Sequence, residues 1–420
     1  MHLVMDTPAA AGRNRRNGIA KRLATKMLHA LGDPPVRLLL WNGEAVMTSS
    51  APPLLTLRIA DRSTLWRLMV DPDMQFGEAF TDGRVECVEG DLVLGLEATF
   101  RSAAAHAGGG AAGEWMGRHR ARLGATLRAN TLRGSRRNIH AHYDLGNDFY
   151  RLWLDPTMSY TCAYFAEEAM SLHEAQVAKL DHVCRKLRLR AGEEVIEAGC
   201  GWGGLALHMA SKYGARVRAF NISAEQVEYA RAGARRAGLA GQVEFVHDDY
   251  RNISGTADVF ASIGMLEHVG IGNYERFGRI IRRSLRPGGR ALVHSIGRDA
   301  PGPLNRWMER YIFPGACPPS LAQMSGVFEP AGLSVLDVEN LRLHYARTAG
   351  CWLAAFEAAR EAVARQFDAR FVRMWRMYLA GTQAAFLSGD LQLFQVLVAP
   401  ARSNEVPLTR ADLYRGAPAQ

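Results

Sequence analysis

Ten consecutive residues constrain this chain more than any others: Val195, Ile196, Glu197, Ala198, Gly199, Cys200, Gly201, Trp202, Gly203 and Gly204. The apolar start reads as a short buried strand, the glycines as a tight turn, and residues 205–212 as the opening of a helix. Glycine accepts positive φ and lets the backbone approach a ligand, while a helix N-terminus presents unpaired N–H groups. Strand, turn and helix in that order place a nucleotide-like cofactor at the carboxyl end of the first strand of an open α/β sheet.

The rest of the chain agrees with that class. Residues 193–198, 215–220, 243–248, 257–263 and 290–296 read as strands, with helices over 203–213, 224–237 and 273–285. Such alternation predicts a parallel sheet covered on both faces. Residues 301–319 are less regular; helical stretches follow around 350–387, and 392–399 read as a final edge strand. Ahead of this region, 54–59 read as a strand and 63–70 as a short helix. Gly77, Asp82 and Gly83 stand at turn-like positions within 76–88, and the Ala/Gly stretch 103–113 reads as a linker. A connecting helix is expected over 118–133.

At 420 residues the chain has room for two or three domains. It contains no apolar run near the roughly 18 residues of a membrane span, and its start lacks a signal-peptide core. A cytoplasmic protein is the expectation. The six cysteines form no C-x-x-C pair, so neither a disulfide framework nor a metal site is indicated.

The net charge of +9 is unevenly spread. Arg13, Arg15, Arg16, Lys21, Arg22 and Lys26 accompany Ile19, Leu23, Met27 and Leu31 at the spacing of one helical face, a basic amphipathic helix suited to an anionic bilayer. A second cluster runs from Arg118 to Arg137. No nucleic-acid recognition motif accompanies either, so nucleic acid is not an expected partner.

Gly199, Gly201 and Gly204 satisfy G-x-G-x-x-G, which brings a dinucleotide into consideration. That fingerprint also wants an acid, or an arginine for NADP, after the second strand. Here the strand ends Arg218, Ala219, Phe220, Asn221. Glu197 instead stands where it neutralises a cationic group. S-adenosylmethionine carries an ammonium and a sulfonium and has no pyrophosphate, so it is favoured. Asp249 and Tyr250, after the third strand, are placed for its adenine.

Several further stretches then resemble one family. His142 to Tyr150, Met158 to Phe165, the glycine turn, Asn221 to Gln226, Met265 to Gly270 and Tyr311 to Gly315 are similar, in order, to cyclopropane-fatty-acyl-phospholipid synthases and the related mycolic acid cyclopropane synthases. The resemblance implies a Rossmann-like class I methyltransferase domain over 138–420, a linker and basic helix over 106–137, and a smaller α+β lipid-binding domain over 1–105. It implies transfer of a methylene group from S-adenosylmethionine to a cis double bond of a phospholipid acyl chain, at the inner membrane, and it admits a homodimer.

The chemistry sets demands. An alkene is a poor nucleophile, so alignment and exclusion of water must carry catalysis. Methyl addition leaves a carbocation, and a base must then take a proton from the new methyl so that the ring closes. The resemblance assigns that role to a bicarbonate ion held by Cys162, Glu267, His294, the backbone of Ile296, and Tyr345. It assigns Tyr160 and Thr161 to a lid over the donor, Gly199, Gly201 and Gly203 to the glycine loop, and Asn221 and Gln226 to its ribose and carboxylate ends. Ser223-x-x-Gln226 is also a capping-box pattern. Many members carry a cysteine in the C-terminal helix, where this chain has Thr382. Methylation without ring closure, amine methylation and a lapsed membrane-binding protein are the competing readings.

Overall fold

The computed structural model describes residues 8–107, 145–405 and 407–414. The expected connecting helix over 118–133, its arginine cluster, and His140, His142 and Asp144 lie outside these residues, as do the side chains of 8–17. The chain divides into two compact units.

The first unit holds a four-stranded sheet, order β2-β1-β3-β4, with β1 Val36–Leu39, β2 Ala45–Val46, β3 Leu55–Ile59 and β4 Val85–Gly90. Helices Arg62–Val70, Pro72–Thr81 and Leu92–Ala107 complete an α+β unit. The last of these runs through the alanines 103–107, so the linker expectation fails there: alanine is the strongest helix former, and composition alone hid that. Gly77 lies inside a helix rather than a turn, and glycine fits there because a Cβ would sit 2.4 Å from the Trp307 ring. Helix Pro8–Ala30 buries Ala20, Ala24 and Leu28, spaced four apart, and leaves Ile19 47% exposed. The buried seam is therefore shifted by one residue from the expected face, since small alanines permit closer packing than Ile19 and Leu23.

Two later segments, Asn305–Trp307 and Arg360–Ser388, also belong to this unit, so residues 138–420 are not one continuous domain. Arg370 pairs with Asp82 at 2.9 Å and Arg373 Nε donates to the Thr81 carbonyl at 2.7 Å. These contacts join residues nearly 300 positions apart, which no local pattern reveals.

The second unit carries a seven-stranded sheet in the order β10-β11-β9-β8-β5-β6-β7. Its strands are β5 Glu194–Ala198, β6 Arg216–Asn221, β7 Val243–His247, β8 Ala257–Ile263, β9 Leu285–Arg298, β10 Leu333–Asn340 and β11 Leu391–Pro400. The five from β5 to β9 pair in parallel, as expected, but β11 runs antiparallel to both β9 and β10. The predicted edge strand is thus interior. The true edge, β10, escaped notice because its residues are mostly half-buried and polar, giving no apolar run.

Successive strand residues face two cores. Val195, Val217 and Val259 pack with Val183, Leu205 and Val227, while Ile196, Phe220 and Phe260 pack with Phe277 and Ile281. Each strand therefore reads as continuously apolar, and its carboxyl end is left to build a site. Among the described residues no helix is long and apolar enough to cross a membrane.

Candidate active site

A cleft opens at the carboxyl ends of β5 and β6. Glu197, Gly199, Gly201, Gly204, Asn221 and Gln226 line it, with Tyr160, Thr161 and Lys179 also on its walls. Gly199 and Gly201 have φ of +83° and +53°, and nothing lies within 4 Å of a Cβ built on Gly201. Gly203 serves differently. At φ +87° its missing Cβ would meet the Phe245 ring at 2.6 Å, so it packs the core, and Gly204 lines the cleft in its place.

Glu197 is buried, and its Oε2 has no hydrogen-bond partner among the described residues. Burial pushes its carboxyl up to about 8, against the pull of the Lys179 ammonium and the Ala206 N–H. A cationic ligand group would return it to the charged form, so the cleft fits an S-adenosylmethionine. Asn221 Nδ2 donates to Gln226 Oε1 at 2.8 Å and to the Gly201 carbonyl at 3.1 Å. The Ser223 side chain caps its helix through the Gln226 N–H, while the Gln226 side chain reaches back into the cleft instead of closing a capping box.

Asp249 and Tyr250 depart from expectation. Neither lines the cleft; Asp249 is buried, accepts the Arg251 N–H at 2.9 Å and pairs with its guanidinium at 3.0 Å. A short 3-10 turn, Tyr250–Asn252, is what the acid caps.

Two residues missed in the sequence hold Thr161. Gln176 Nε2 donates to the Thr161 carbonyl at 2.8 Å, and Lys179 Nζ donates to Thr161 Oγ1 at 2.7 Å. Both are buried and stand three apart on the helix Leu172–Lys186. Polar residues amid the buried Ala175, Leu180 and Val183 were the available signal. Next to Thr161 in sequence, Tyr160 packs against Trp153, Tyr150 and Trp352, with centroids 5.2–5.6 Å away. Trp352 in turn meets Tyr345 at 5.8 Å.

A second constellation gathers beside β9. Glu267, on the short helix Leu266–Val269 after β8, accepts the Ile296 N–H through Oε1 at 2.6 Å. The resemblance assigned that N–H to an ion; here it fixes the carboxylate. Glu267 Oε2 is buried without a partner among the described residues, and burial pushes the carboxyl up to about 7 although backbone N–H groups and the Ser295 side chain favour its charge. His294 lies two residues before Ile296, on the same strand face. Its Nδ1 is 3.1 Å from Gln395 Nε2, which can only donate, so the ring proton sits on Nε2. That Nε2 is buried and unpartnered among the described residues, and burial drives the imidazole far below its usual range, leaving it neutral.

The other two residues reach the same end of the sheet. Leu393 pairs with Ile296 in the β9–β11 ladder, Leu341 N donates to the Leu393 carbonyl, and Cys162 Sγ lies 3.9 Å from the Leu341 carbonyl. Tyr345 follows one turn into the helix Arg342–Ala358. Burial pushes the Cys162 thiol far up, so it is a neutral donor rather than a nucleophile. One unfilled acceptor on Glu267 and one unfilled donor on His294, both buried, form a donor–acceptor set suited to a small protonated oxyanion.

Known proteins resemble this chain in sequence and fold. The sequence model of the mycolic acid cyclopropane synthetase family matches residues 130–396. A probable fatty acid methyltransferase of Pseudomonas putida is 34% identical over 392 residues, covering 91% of this chain and 96% of that protein. The cyclopropane-fatty-acyl-phospholipid synthase of Escherichia coli strain K12 is 40% identical over 270 residues, covering 64% of this chain and 69% of that protein. Among solved structures, the mycolic acid cyclopropane synthase CmaA1, in complex with SAH and CTAB, superimposes with a TM-score of 0.60 at 29% identity, over 63% of this chain and 97% of that one.

Proposed function

Because the chain belongs to the mycolic acid cyclopropane synthetase family and is an S-adenosylmethionine-dependent methyltransferase, we propose that it converts the cis double bond of a phospholipid acyl chain into a cyclopropane ring. The observation that carries this reading is the pair of buried, unpartnered atoms Glu267 Oε2 and His294 Nε2. Methyl transfer to an amine needs no bicarbonate. Ring closure needs a proton acceptor there.

The donor, when bound, supplies an electrophilic methyl. Glu197 neutralises its cationic end, and Tyr160 and Thr161 cover it. The packed rings of Tyr150, Trp153, Tyr160 and Trp352 exclude the water that would trap a carbocation. A bicarbonate would be held by Glu267 as acceptor and by His294, Cys162 and Tyr345 as donors, and would supply a base that no carbocation alkylates irreversibly. Glu267, fixed by the Ile296 N–H, sets its orientation.

The substrate side of the proposal is a membrane phospholipid met from the cytoplasmic face of the inner membrane. Lys21, Arg22 and Lys26 are exposed on helix Pro8–Ala30, as such contact requires. Replacing them with glutamine should weaken binding to anionic vesicles several-fold at low salt and little at high salt. Vesicle binding that is unchanged at low salt would remove this helix from the account.

A second reading, methylation that stops before ring closure, draws on the full-length likeness to the Pseudomonas putida relative. Expression in a host rich in monounsaturated lipid separates the two. Acyl chains that gain one CH2 and resist mild hydrogenation support the cyclopropane. Chains that gain CH2 yet still take up hydrogen support methylation alone, and unaltered chains reject both.

A further inference from the structure

Lys179 has been given no contact with the donor so far, yet it is a buried cation on the cleft wall, 3% exposed. Its ammonium has three N–H bonds, of which one meets Thr161 Oγ1 at 2.7 Å. Burial pulls it down to about 8, and the nearby Asp155, Cys162 and Glu197 hold it up, so it remains charged at neutral pH. Asp155 does not absorb it. Its oxygens already accept from Thr157 N and Oγ1, Ser159 N and His173 Nδ1, at 2.9–3.2 Å.

The cleft therefore presents a buried carboxyl that a cationic group would ionise and a buried ammonium, Glu197 and Lys179, each with bonding capacity left over. That is the charge complement of an amino-acid zwitterion. We propose that Lys179, together with Thr161 Oγ1, binds the α-carboxylate of the donor's methionine end, while Glu197 takes its cationic part. Isolated in a dry cleft, either charge would be costly; the bound zwitterion satisfies both. The same contact ties donor binding to closure, because Thr161 is a lid residue and Cys162 follows it.

This rests on the donor being S-adenosylmethionine and not on ring closure, so either can fail without the other. The test is calorimetric titration, without lipid, of S-adenosylhomocysteine and of its decarboxylated analogue. The wild-type protein should bind the carboxylated ligand about 10–100-fold more tightly, the range for one charge-assisted contact. Lys179→Met should lose that preference while holding the decarboxylated analogue within about threefold of wild type. Equal wild-type affinity for both ligands overturns the proposal, whatever the variant does. A variant that weakens both ligands alike overturns it too, since that is the mark of a merely structural lysine.

Discussion

The donor cleft and the chamber beside β9 each bury a glutamate with an unpartnered oxygen, but they balance it differently. Glu197 has a cation, Lys179, in its surroundings, whereas the groups that favour a charged Glu267 are backbone N–H donors and the Ser295 side chain. A carboxylate facing a lysine across a cleft is one half of a zwitterion's complement. A carboxylate oriented only by dipoles, beside a neutral imidazole, suits a small polar guest that brings its own proton. The difference teaches that one acid is arranged for binding and the other for chemistry.

The sharpest way to break this comparison is to exchange the effects. Glu267→Ala should lower ring formation by about 10²–10⁴-fold, the span of a lost base function, while affinity for S-adenosylhomocysteine stays within about threefold. Turnover of acyl chains and calorimetry read the two arms. A large loss of affinity would erase the distinction. Glu197→Ala should do the reverse, weakening the ligand about 10–100-fold.

Stability sharpens it further. Burial raises the Glu267 carboxyl from its usual 4.5 to about 7. The folded protein therefore holds a proton that the unfolded chain releases across that window, and stability falls as pH rises through it. Glu267→Gln keeps an acceptor for the Ile296 N–H and removes the charge. It should be more stable than wild type at pH 8, on the order of 2 kcal/mol, and nearly equal at pH 4.5. Thermal melts at the two pH values decide it; no gain at pH 8 means the buried charge is already compensated.

The smallest expected effect concerns Gln395, which fixes the His294 proton on Nε2. Gln395→Leu should slow turnover about tenfold, as loss of an orienting partner does, and leave ligand affinity unchanged. A variant with normal turnover would show that the tautomer does not matter.

The cleft was the legible half of the site because its parts are local. Glu197 and the glycines sit within eight residues, and a strand ending in such a turn has few structural outcomes. Lys179 was missed because a lysine on a helix reads as a solvated face unless its burial is known. The constellation beside β9 could be named only through a family resemblance, and one detail went astray there: the Ile296 N–H meets Glu267. In the cleft, the acid read from its place after the third strand, Asp249, serves Arg251 instead.

By itself the sequence determined the parallel strands β5 to β9, the helices between them and the glycine turn, since periodicity and backbone freedom act over a few residues. Only the tertiary structure decided what depends on distant contacts. It set β11 between β9 and β10, joined Arg360–Ser388 to the N-terminal unit, and buried Lys179, Glu267, His294 and Gln395. The physical reason is desolvation. Whether a polar side chain is ordinary surface or a poised chemical group depends on which other elements take water away from it, and that is a property of packing, not of spacing.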